Sequence, residues 1–357
     1  MPRRTSLHPE HAAAGARLVE VDGWSVPADF GDASAEYRIL REGAGLLDLS
    51  LRGKLRVVGP DRAAFLHSML TNDILALRPG RGCHAAKLTV QGKMQAALHV
   101  LCLEDALLCD VEPGPAEELR AALARHLVME DEELEDVTEP WALLAVQGPQ
   151  SPSALARLAV GMEALREELQ HTEASIAGTT VRVVRSDHCG EGGFDLWVPA
   201  LAAPRVWREL LAPGEIRPVG LRALDVRRIE AGIPWHGSEI TQEYLPLEIG
   251  LEAGWISHSK GCYLGQETIS RLHHLGHVNR YLRGLLFEAG AAPHTGTPLW
   301  GGDKRVGAVT SATLSPRIGA PVALGYVHRD FASPGTVVEL EEPAGRRRAR
   351  VTALPFV

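Results

Sequence analysis

Lysine is nearly missing from this chain. Lys54, Lys87, Lys93, Lys260 and Lys304 are its five lysines among 37 basic side chains, and the rest are arginine. A GC-rich coding sequence explains such a bias, but it makes the position of each retained lysine worth noting. Long apolar runs are missing too. None approaches the roughly 18 residues of a membrane span, and the N-terminal stretch has no signal-peptide core. No C-x-x-C pair occurs among Cys83, Cys102, Cys109, Cys189 and Cys262. That excludes a zinc ribbon or a disulfide framework and leads us to expect reduced thiols in a cytoplasmic protein. The P-loop, nucleophile-elbow and H-E-x-x-H patterns are absent. With 45 acidic residues and a formal charge of −8, a large nucleic-acid footprint is also excluded. A local basic pocket for a small anion is not.

What is present is ordinary in bulk. Across 357 residues, 45% are hydrophobic and 23% charged, which suits a soluble chain of about two to three domains. Polar–apolar alternation predicts a half-buried strand at Lys54–Val58. A helix should follow from Arg62 to Met69, with Asp61 as its N-cap. Further strands are predicted over 85–89, 96–102, 106–110, 141–147, 181–185 and 194–198. Helices are predicted over 34–42, from Pro115 at N1 to His126, from Pro149 to about Ala159, over 204–211 and over 221–231. The acidic run Glu130–Asp136 reads as a solvated strand or loop. After residue 277 short strands punctuated by Gly and Pro predict a small all-β barrel. Mixed elements without regular βαβ alternation make the chain α+β, with an N-terminal region 1–276 and a barrel domain 277–357.

Three stretches invite chemistry. Gly190-Glu191-Gly192-Gly193 lacks dinucleotide-fingerprint spacing and lies between two strands. It reads either as a tight hairpin or as a bend that brings the Glu191 carboxylate against a planar ligand. The run His273-His274-Leu275-Gly276-His277 suggests metal ligation, but Gly276 weakens a helix and no carboxylate lies nearby in sequence, so solvated or capping histidines and no metal are expected. In Lys260-Gly261-Cys262-Tyr263-Leu264-Gly265-Gln266-Glu267 a cation precedes the cysteine and a helix should begin at about Gln266. Both features lower a thiol's pKa, although a lone cysteine is commonly an inert small hydrophobe.

That eight-residue stretch resembles the K-G-C-Y-x-G-Q-E signature of the folate-binding YgfZ family, related to the glycine cleavage T-protein, an aminomethyltransferase. Gly23–Pro27, Leu70-Thr71-Asn72-Asp73, Gly190–Asp195, Arg228–Gly232 and Gly307–Ser311 resemble T-protein segments in the same order. The resemblance implies a three-lobed ring around a central cavity for tetrahydrofolate, with Glu191 as the pterin carboxylate and Arg228 and Asn72 as further folate-binding residues. It implies Cys262 as a thiol facing that cavity, held as thiolate by Lys260. One departure stands out: T-protein carries G-G-x-x-D-D, and the matching Gly92-Lys93-Met94-Gln95-Ala96-Ala97 has alanine at both acidic positions, which cannot exchange protons. The function so implied is an accessory role in assembling or repairing iron–sulfur clusters. Its partners would be iron–sulfur client enzymes, including tRNA-thiolating proteins, without direct nucleic-acid or membrane contact. A folate-dependent aminomethyltransferase or demethylase, and a ligand-free interaction scaffold, are the alternatives.

Overall fold

The alternating segments pair into four sheets in the computed structural model, which describes all residues except 128–131, 160, 343, 344 and 357. A six-stranded sheet runs in the order His171–Ile176, Thr179–Arg185, Gly193–Pro199, Trp141–Gln147, Ala44–Asp48, Ile216–Pro218. Only its last pair is parallel. A five-stranded antiparallel sheet has the order Gly82–Leu88, Met94–Cys102, Ala106–Val111, Gly53–Val58, Glu133–Asp136. A small sheet joins Arg3–Arg4, Trp24–Asp29 and Arg17–Val21.

From Arg280 onward the chain forms a closed antiparallel barrel, in which Arg280–Leu286 pairs with both Ala320–His328 and Gly345–Thr352. Closure satisfies the backbone groups that an open edge would leave unpaired. The chain is therefore α+β with a C-terminal β-barrel, as its patterning implies. No described helix is long and apolar enough to cross a membrane.

Strand periodicity decides what each lobe buries. In Met94–Cys102, Ala96, Leu98 and Val100 enter a core with Leu55, Phe65, Leu66 and Leu119. Ala97 faces the other way, into a cluster with Ile229, Tyr263, Ile269, Leu282 and Tyr326. That second cluster draws on the sheet, the helices Leu221–Ala231 and Gln266–Leu275, and the barrel. Burying each large apolar side chain there contributes about 1.5–3 kcal/mol, so the lobes are joined by hydrophobic surface that none could bury alone.

Several local expectations need correction. Asp61 occupies the N-cap of Arg62–Met69, yet its side chain makes no capping hydrogen bond. Pro115 is the cap rather than N1, and its helix spans only Ala116–Ala124. The helix after Pro149 is the short Ser151–Ala156. The acidic run, by contrast, meets its expectation: Glu133–Asp136 is an edge strand paired with Gly53–Val58, while Glu130 and Asp131 lie outside the described residues. Leu134 explains the strand, because it packs on the core of that sheet.

Two glycines fix how the signature stretch meets the sheet. Gly265 has φ +86°, and a Cβ there would lie 2.5 Å from the Thr89 carbonyl oxygen. Gly92 has φ +79°, and its Cβ would lie 2.9 Å from that of Thr268. Only glycine permits both the positive φ and the close approach. The turn at 89–93 thus seats the start of the helix Gln266–Leu275.

Candidate functional site

Pairing register builds a row of titratable side chains across one face of the five-stranded sheet. His84 lies opposite His99, His99 opposite Asp110, and Asp110 opposite Lys54. Directly opposed residues share a face, so four groups distant in sequence become neighbours. His99 Nδ1 lies 3.3 Å from Asp110 Oδ2. Arg52 Nε donates to Asp110 Oδ1 at 2.7 Å, and its Nη1 donates to Glu112 Oε1 at 2.9 Å. Burial opposes the charge on Asp110, but Arg52 and His99 outweigh it and hold the carboxyl well below its ordinary range. Lys54, fully buried, is pushed down to about 8 by desolvation and donates to the Ser50 and Arg52 carbonyls.

Above this row lies a cavity of about 560 Å³ where the lobes meet. The sheet contributes His84 and His99, and Glu112 follows directly after the strand Ala106–Val111; the loop before Gly193 contributes Asp187 and His188. Trp235 and Trp255 come from the segments after the helix Leu221–Ala231, and Leu282 and Arg283 from the barrel. The Trp255 ring stacks on His84 at 4.7 Å, and the His84 ring meets His99 edge-on at 4.8 Å. His188 Nε2 lies 3.0 Å from both oxygens of Asp195; burial lowers its pKa, but that carboxylate outweighs burial and raises it. His84 Nδ1 is buried without a hydrogen-bond partner, and so is His236 Nδ1 in an adjoining cavity that shares Glu112, His188 and Trp235. The volume falls within the range of small-molecule sites, and mixed aromatic and polar lining is typical of them.

Glu191, Arg228, Asn72, Lys260 and Cys262, the residues the sequence singled out, do not line this cavity. Glu191 accepts from Arg227 Nη2 at 2.7 Å and lies 3.8 Å from Arg317. Arg228 is buried: its Nε donates to Asp225, Nη1 to Glu239 at 2.8 Å, and Nη2 to Ser311. Asn72 Nδ2 donates to the carbonyls of His84 and Gly254, each at 2.8 Å, and so ties the Trp255 segment to the sheet.

Lys260 requires correction. Its Nζ donates to the carbonyls of His67, Leu70 and Asn72, which uses all three ammonium protons. It staples the end of the helix Arg62–Met69 rather than holding a thiolate. Cys262 is exposed and absent from the cavity lining, while Tyr263 beside it is buried. The histidines of the cavity escaped sequence reading because His84, His99 and His188 form no local motif. Alternation within Met94–Cys102 put Ala97 and His99 on one face, and that was the available signal.

Acid titration should reveal the buried imidazoles. Burial, then the neighbouring His99 and His188, push His84 down to about 3; burial, then Arg182, push His171 down to about 4. Both bind protons near 6.5 once unfolded. Between pH 6.5 and 4 the unfolded chain therefore holds more protons, and stability falls as pH falls. Urea midpoints should drop across that window, by up to about 1.4 kcal/mol per pH unit for each unmatched proton and less for partly exposed His84. His171→Gln should flatten the slope; an unchanged slope would mean that the folded protein accepts these protons.

The GCVT N-terminal domain model matches residues 7–257, and the glycine cleavage T-protein C-terminal barrel domain model matches residues 280–357. An aminomethyltransferase of Rubrobacter xylanophilus is 33% identical over 99% of this chain and 94% of its own. One from Streptomyces avermitilis is 32% identical over 99% and 97%. The solved glycine cleavage system aminomethyltransferase T of Bartonella henselae superposes with a TM-score of 0.92 at 27% identity, covering 100% of this chain and 98% of that one. These relatives overturn the expectation of an iron–sulfur accessory role, since full-length similarity runs to proteins named for aminomethyl transfer. The chain belongs to the GCVT family and has the T-protein fold, with its three lobes and C-terminal barrel.

Proposed function

We propose that this protein binds tetrahydrofolate in the cavity between its lobes and serves folate-dependent one-carbon transfer of the aminomethyltransferase kind. The observation that carries the reading is that cavity, with flat aromatic faces and carboxylates, in a chain similar along its length to aminomethyltransferases. The residues fit such a ligand. Trp235 and Trp255 offer faces to a pterin ring, and Glu112, oriented by Arg52, can accept from its aminopyrimidine edge. The unpartnered Nδ1 of His84 supplies a further polar atom. Tetrahydrofolate would supply the nitrogens that take up the one-carbon unit.

Ala96 and Ala97 remain a departure within the family. Ala97 is packed among apolar side chains, and the next side chain on its strand face is His99. The resemblance of residues 260–267 to the YgfZ branch belongs to the same reading, because here those residues dock a helix against the turn that holds Gly92.

Calorimetry with tetrahydrofolate tests binding, and a coupled assay for methylenetetrahydrofolate from an aminomethyl donor tests transfer. Saturable heat is expected, and Glu112→Gln should weaken binding by about 1–3 kcal/mol, the worth of a charged hydrogen bond. A loss confined to Glu191→Gln would instead place the pterin edge at the 187–193 loop, as the resemblance implies. No heat at millimolar ligand would overturn the reading.

A further inference from the structure

Away from the cavity, three side chains converge where the helix Gln266–Leu275 runs beside the segment leading into it. Glu252 Oε1 lies 2.7 Å from His273 Nδ1 and 3.1 Å from His258 Nε2. The two imidazole rings stack with centroids 3.7 Å apart and planes 18° from parallel. The potential donor atoms of all three residues lie within 4.8 Å of one another. In sequence the histidine run had no carboxylate beside it; the fold supplies both Glu252 and His258.

We propose that Glu252, His258 and His273 form a binding site for one divalent transition-metal ion of the zinc class. Two imidazoles and one carboxylate are the donor set such borderline ions prefer, whereas calcium and magnesium need more oxygen ligands. A tetrahedral ion with bonds of about 2.0–2.2 Å sets its donors about 3.4 Å apart, so the two nitrogen–oxygen contacts, at 2.7 and 3.1 Å, must open slightly to admit it. The side chains are 40%, 27% and 37% exposed for Glu252, His258 and His273, so they can adjust without disturbing the core. The same two nitrogens that now address one carboxylate oxygen would address the ion, each giving up its proton to the ring's other nitrogen or to solvent. Water completes the coordination on the open side. His274 stands outside the set, its ring edge-on to His273 at 4.8 Å. The ion would tie the helix Gln266–Leu275 to the segment carrying Trp255, a wall of the cavity, but the site does not depend on the function proposed above.

Titration calorimetry of the full chain with zinc chloride, repeated with cobalt(II) to read the ligand field in the visible spectrum, tests this. One ion should bind with an affinity on the order of micromolar or tighter, and zinc should raise the thermal midpoint. Glu252→Gln and His273→Ala should each weaken that binding by at least about tenfold, while His274→Ala changes it less than about twofold. Binding equal in the wild type and a His258→Ala/His273→Ala double variant would overturn the site. So would its absence at about 100 μM zinc, or an equal loss in His274→Ala.

Discussion

Glu230→Ala is expected to destabilise the protein by about 3–5 kcal/mol, the scale for breaking a buried ion pair by removing one partner. Glu230 is fully buried and gathers three elements. It accepts from Tyr37 at 2.9 and 3.0 Å, from Arg227 Nη1 at 2.8 Å, and from the Ser315 hydroxyl of the barrel. Its removal leaves Arg227, 2% exposed, with Glu191 as its remaining carboxylate partner. The guanidinium would keep that partner and the Cys189 carbonyl, but its desolvation cost would be only partly compensated. Glu230→Gln keeps the shape and part of the bonding, so it should lose less. Urea midpoints with unchanged m-values would measure both. A loss under about 1 kcal/mol for the alanine variant would show that water replaces the carboxylate, and that this network does not hold the barrel to the helix.

Lys260→Ala should cost about 2–4 kcal/mol, while Cys262→Ser should change stability by less than about 0.5 kcal/mol. Lys260 is 8% exposed, and burial pushes the pKa of its ammonium down to about 8. It nevertheless satisfies three carbonyls at the end of one helix and the start of the following loop. Removing it strands those acceptors and opens a void beside Tyr263, over whose ring the ammonium sits at 5.1 Å. If Lys260 instead served the thiol, its substitution would slow alkylation of Cys262 and leave the urea midpoint unchanged. Measuring both in the same variant separates the two roles.

The contrast between these neighbours shows how far a motif can be read. Spacing correctly marked residues 260–267 as unusual, since glycine at 265 and lysine at 260 each meet a demand that few other residues satisfy. It could not tell that the demand was structural. A cation two residues before a cysteine and a cation reaching back to another helix's carbonyls look alike in a linear string. Arg228 makes the same point: it could be a surface charge or a folate contact by sequence, and it is a buried tie to Glu239 and Ser311. Lys54, kept in a chain that otherwise uses arginine, likewise turns out to be a buried donor to two carbonyls.

By itself the sequence determined the elements and the architecture they could join. Period-two geometry sent the two faces of Met94–Cys102 into different cores, close Gly and Pro punctuation marked out the strands of the C-terminal barrel, and mixed elements ruled out a doubly wound sheet. These signals are local, because backbone geometry repeats over a few residues. Tertiary structure alone decided which titratable groups meet. His84, His99 and Asp110 become neighbours through strand register, and Trp255, Glu252 and His258 reach their places because distant segments bury a common apolar surface. Register and burial between lobes depend on contacts far apart in the chain, and no local pattern encodes them.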